Sequence, residues 1–220
     1  MSTSTNIRQR GTREKPTWRG RSHMLAAFVA LPAVIALYQH VEPAAEAAVA
    51  VYGMTLVLLF GISGTYHVPS HPPRREQIIR GIDHSMIYVF IAGSYTPFIH
   101  ALPGDEGAWI IPALWIGAFG GALKSALWPT APRAVNTAIY TLLGWIAVPA
   151  LPALYRAFDG SSFGLLILGG LIFTCGGVIY ARRRPDPWPT YFGFHEIFHL
   201  CIILGASCHY IAIWNLLGTA

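Results

Sequence analysis

Residues 191–217 read YFGFHEIFHLCIILGASCHYIAIWNLL, an apolar run of 27 residues interrupted by three histidines and one glutamate. A helix rises 1.5 Å per residue, so about 20 such residues cross a bilayer core, and this run is long enough to do so. Six further stretches qualify on the same reading: Met24–His40, Ala44–Tyr66, Gly81–Leu102, Ala108–Leu127, Ala134–Leu154 and Phe163–Tyr180. The first contains Pro32, which is tolerated where neighbouring helices satisfy the freed carbonyl. The expectation is an all-α, seven-transmembrane helix bundle.

Composition agrees. The 220 residues are 54% hydrophobic and 11% charged, against about 25% charged in an average soluble domain. Mean hydropathy is +0.47. This excludes a disordered chain, a disulfide scaffold and a soluble nucleic-acid binder, and no nucleic-acid partner is expected. Cys175, Cys201 and Cys208 lie in apolar runs without metal-ligand spacing and read as small buried hydrophobes. Gly117, Gly121, Gly169, Gly170, Gly176 and Gly177 fall inside spans, where small residues let helices approach closely. No repeat of solenoid length is visible.

Basic residues orient the bundle through the positive-inside rule. With seven spans, every lysine and arginine except Arg156 falls on one side: Arg8 to Arg21 before the first span, Arg74, Arg75 and Arg80 after the second, Lys124 and Arg133 after the fourth, Arg182 to Arg184 after the sixth. The opposite loops carry Glu42, Glu46, Asp105, Glu106 and Asp159. The amino terminus is therefore expected in the cytoplasm and the carboxyl terminus outside. Residues 1–22 read as a basic cytoplasmic tail without a cleavable signal and 23–220 as the membrane domain, placing the protein in the cell membrane as a multi-pass chain.

Ionisable residues inside spans are costly, so each calls for a function and a partner. His67 ends the second span, Asp83 opens the third, and His195 and His199 open the seventh, all at the cytoplasmic depth set by the arginines. His195 and His199 stand at i and i+4 on one helix face. Two imidazoles so placed can chelate a divalent ion, and His67 would add a third nitrogen while leaving a position open, as in catalytic zinc sites. Ser63 lies one turn before His67, and Asp83 could hold water or orient a ligand. Bland readings stand beside these. Ser63 could bond its own i−4 carbonyl, Asp83 could pair with Arg80 or Arg184, and a lone interfacial histidine can be a polar anchor. His23, His40, His71 and His100 read as interfacial. His209, about 15 Å along the helix from His199, is too far to share its ion, and His84 points about 100° away from Asp83.

Ser63-x-x-x-His67, Arg80-Gly-Ile-Asp83-His84-Ser85, Ile91-Ala-Gly-Ser-Tyr-Thr-Pro97, Gly144-Trp145, Gly169-Gly170 and His195-Glu196-x-x-His199 together resemble the hemolysin III family, allied to the progestin and adipoQ receptors and more distantly to alkaline ceramidases. The likeness runs from about His23 to the end. It implies seven membrane helices, a zinc ion held by His67, His195 and His199, a water linked to Asp83, and Ser63 nearby. Zinc with an open position activates water and polarises a carbonyl, chemistry sufficient to hydrolyse a lipid amide such as a ceramide, with Asp83 as base and Ser63 as hydrogen-bond donor to the oxyanion. The expected partners are zinc and membrane lipid. Three other readings stand: a non-enzymatic sensor or regulator of membrane lipid state, a cytolytic protein as the family name suggests, and a zincin-like intramembrane protease with Glu196 as base.

Overall fold

A computed structural model describes residues 16–68 and 71–218. Most of the basic tail, including Arg8, Arg10, Arg13 and Lys15, lies outside the described residues. Among those described there are eight α-helices, two 3-10 turns and no strand. The helices are α1 Arg21–His40, α2 Glu46–His67, α3 Pro73–His100, α4 Ile110–Leu127, α5 Arg133–Trp145, α6 Leu151–Ala157, α7 Gly160–Arg182 and α8 Phe194–Leu217. Pro32 lies within an unbroken α1. Pro149 does interrupt. It follows the end of α5 by four residues, where its missing N–H and its ring oppose the carbonyl of Trp145, and a 3-10 turn at Val148–Ala150 links α5 to α6.

Six helical segments are long and apolar enough to cross a membrane, with Arg133–Ala157 taken as one. The other long helix, α3, has 28 residues and begins eight residues before the expected span. Its length suffices, but among its buried positions are the polar residues Asp83, His84 and Ser94. The helix least lipid-like by composition is thus a central one.

Short connections return the chain at alternate ends of the bundle. At one end, Thr17 and Trp18 donate backbone hydrogen bonds to the carbonyls of Thr190 and Tyr191, at 3.1 and 3.2 Å. At the other, Glu42 N–H donates to the Leu217 carbonyl at 3.3 Å, and Arg156 pairs with Glu106 at 3.1 Å. Glycines set the close approaches. A Cβ on Gly121 would strike the ring of Tyr88, joining α4 to α3, and one on Gly117 would strike Leu143 of α5. Gly169 and Gly176 admit His209 and Cys201, and Gly205 admits Phe173, locking α7 to α8. Gly177 sits against Thr137 of α5. The expected packing role holds for these positions but not for Gly170, which like Gly144 faces open space. Both line a cavity.

Candidate metal centre

The ends of two helices meet at the first of these poles. His67 is the last residue of α2, and His195 and His199 occupy the first two turns of α8. All three are buried, and each offers a ligand nitrogen within 4.8 Å of the others. His67 Nε2 and His195 Nε2 are 3.3 Å apart. Tetrahedral bonds of about 2.0–2.1 Å separate neighbouring ligand atoms by about 3.3 Å, so these residues fit a metal ion. The His195 and His199 Nδ1 atoms are buried with no hydrogen-bond partner among the described residues, and for His195 it is Nε2 that faces His67.

Asp83, on α3, sets Oδ2 3.8 Å from His67 Nε2 and 3.4 Å from His84 Nδ1. Among the described residues it makes no ion pair with Arg80 or Arg184. His84, set aside in the sequence on its angular position, is buried beside Asp83, and its Nδ1 lies 2.9 Å from the Arg80 carbonyl one turn back. Ser63 Oγ bonds not to its own helix but to His23 Nδ1, at 2.9 Å.

His23 is the residue the sequence reading passed over. Taken there as interfacial, it is 2% exposed and stacks on His199, with ring centroids 3.8 Å apart and planes 9° from parallel. Its Nε2 lies 3.3 Å from the His199 carbonyl. A carbonyl only accepts, so Nε2 carries the proton and Nδ1 accepts from the Ser63 hydroxyl. A usable signal existed: His23 falls in the first turn of α1, at the depth the arginines assign to His67 and His199.

Glu196 is 1% exposed and fully engaged. One carboxylate oxygen accepts the Gly193 N–H at 2.7 Å, closing the α8 amino terminus as a glutamate at the third helical position does. The other pairs with Arg19 Nε. Asp186 accepts the Phe194 N–H at 3.1 Å. The segment before α1 is thereby tied over the cluster, and Gly20, at φ 76°, lets its backbone lie against His67.

From the cluster a cavity of about 310 Å³ extends along α8 as far as His209. Its wall is mainly apolar, drawn from α2, α3, α5, α7 and α8. Trp145, Val148 and Leu171 line it and are also exposed on the outside of the bundle. The cavity therefore reaches the lipid-facing surface between α5 and α7.

A profile of haemolysin-III-related proteins matches residues 12–210. "Hemolysin-3" of Bacillus cereus is 29% identical over 197 residues, covering 87% of this chain and 87% of that protein. "Monocyte to macrophage differentiation factor" of Homo sapiens is 30% identical over 202 residues, 87% of this chain and 81% of its own. "Adiponectin receptor protein" of Drosophila melanogaster is 27% identical over 177 residues, 71% of this chain and 39% of the longer receptor. The match runs through every residue of the histidine cluster, and the chain belongs to the haemolysin III family, within the wider progestin and adipoQ receptor group, as a multi-pass membrane protein.

Proposed function

We propose that this protein is a zinc-dependent hydrolase of membrane lipid amides, ceramide-like in class. The observation that carries the reading is the position of the three imidazoles, buried at one end of an apolar cavity that opens to the lipid side. On this reading the bundle crosses the membrane seven times, α3 included, as a single domain over 23–220. The amino terminus is in the cytoplasm and the carboxyl terminus outside, as the arginine distribution argues.

His67, His195 and His199 would hold the ion. Zinc is favoured because three neutral imidazoles with a free position form a common catalytic zinc set, and the chemistry a bound zinc supplies is Lewis acidity toward water and a carbonyl. Asp83, next to His67 and shielded from solvent, takes up the proton of the attacking water. Ser63 has its proton turned toward His23, and rotation about Cβ–Oγ would bring that proton to the carbonyl oxygen as negative charge develops there. The apolar wall from Leu59 to Ile202 excludes water and receives an acyl chain entering between α5 and α7.

The test is mass spectrometry of ceramide-containing vesicles incubated with the purified protein and with Asp83→Ala. Release of free fatty acid and amine by the native protein, falling at least 100-fold in the variant, is the expected result. Identical product profiles would remove the enzyme reading and leave a zinc-stabilised sensor of membrane lipid, in keeping with the receptor name of the Drosophila relative.

A further inference from the structure

His67, His195 and His199 are buried, and the cavity that begins at them opens to lipid between α5 and α7. A divalent ion does not travel that way, because a charge stripped of water in an apolar passage has nothing to offset its lost hydration. The ion has to reach the histidines from the water-facing pole at which they lie.

At that pole residues 16–20 lie across the site. Thr17 and Trp18 donate their N–H groups to the Thr190 and Tyr191 carbonyls, Arg19 Nε donates to the Glu196 carboxylate, and Gly20 packs on His67. Each of these partners is a clustered histidine or lies within five residues of one. The outer side of the segment faces away from the bundle, with Thr17 exposed and Trp18 52% exposed.

The way the segment is held suits it to open. None of residues 16–20 belongs to the apolar core, so a few polar contacts fix it, and the pair of Arg19 with Glu196 is the charged one. A segment with so little apolar burial opens locally at a small part of the cost of unfolding the bundle. Gly20 supplies a hinge. It stands immediately before α1 at φ 76°, and α1 itself is anchored by the bond of His23 to Ser63. Rotation at a glycine moves the segment and leaves the helix in place.

We infer that residues 16–20 form a hinged cover over the histidine cluster, latched by Arg19 on Glu196, and that the metal ion enters and leaves when the cover opens. The inference rests on the reading of the three histidines as a metal site and adds the route to it and the gate on that route. Glu196 then serves the site with both oxygens, one shaping the end of α8 that carries the ligands and one keeping the cover shut.

The experiment follows the loss of zinc from zinc-loaded, full-length protein in detergent to an excess of the chromogenic chelator 4-(2-pyridylazo)resorcinol. Arg19→Gln should still bind about one zinc per chain, since the ligands are intact, but release it about 10- to 100-fold faster, the factor set by one charge-assisted hydrogen bond. Gly117→Ala presses α4 on Leu143 of α5, loosening the bundle without touching the cover, and should release zinc at the native rate. In a chain with Cys175, Cys201 and Cys208 replaced by alanine, Thr17→Cys and Thr190→Cys bridged by dibromobimane should release zinc at least about tenfold more slowly than the same protein unbridged. Equal rates in the bridged and unbridged protein overturn the inference, as does a native rate in Arg19→Gln or an acceleration that Gly117→Ala shares. A native protein that binds no zinc would end the metal reading as well.

Discussion

Glu196 lies between two of the clustered histidines in a string that reads like a protease signature, and its environment gives it other work. Both carboxylate oxygens are engaged, one in capping α8 and one in holding Arg19. Glu196→Gln should therefore keep its metal and its metal-dependent activity while losing about 1.5–3 kcal/mol of stability, the usual worth of a charged hydrogen bond, measurable as a lowered Tm in detergent. Metal retained with activity abolished would instead make Glu196 the base. The double variant His195→Ala, His199→Ala removes two of three ligands, and metal per chain by elemental analysis should fall from about one to background. His23→Ala should keep the metal, because His23 touches the cluster through ring stacking and the Ser63 hydroxyl rather than through a ligand atom. The i, i+4 pairing of His195 and His199 was legible from spacing alone. The bond between Ser63 and His23 was not, because nothing local links residues 40 positions apart.

At the level of helices, two kinds of glycine behave differently. Gly121 lies where α4 presses on Tyr88 of α3, and Gly121→Ala should cost about 1–3 kcal/mol through overpacking. Gly144→Ala faces open space and should leave Tm unchanged or slightly raised, since alanine is the better helix former. The two look alike in the sequence; only the neighbouring helix separates them. Asp159 caps α7 by accepting from the Ser161 hydroxyl and from the N–H groups of Ser161 and Ser162. Those bonds, the Ser161 side chain foremost, hold its carboxyl well below the usual carboxylate range. A depressed value means stability present above the unfolded value of about 3.9 and lost as pH falls through the folded one. Asp159→Asn should thus lower Tm at neutral pH, with the gap to the native protein closing only well below pH 4. A gap that does not change with pH would show that the carboxylate form makes no difference.

For the whole molecule, the arginine distribution and the alternating ends of the bundle make one joint statement about orientation. Reporter fusions after Gly218 and after Val41 should score on the outer side, and one after His71 on the inner side. A fusion after Gly218 that scores inside would reduce the crossings to an even number and break the argument from charge. Much of this architecture was readable from a single chain, because helix length, apolar runs and charge placement are properties of consecutive residues answering to a slab of fixed thickness. So was the pairing of His195 with His199, since helical periodicity is local. The break after Trp145 was not foreseen, because a proline inside an apolar run can either end a helix, as Pro149 does, or lie within an unbroken one, as Pro32 does. The approach of His67 to α8 was expected from its depth and from the family resemblance, whereas the stacking of His23 on His199, the binding of Arg19 to Glu196 across 177 residues and the cavity running to His209 belong to tertiary structure alone. They depend on how each helix is rotated about its axis and how deeply it sinks into its neighbours, and those quantities arise from side chains of distant segments packing together.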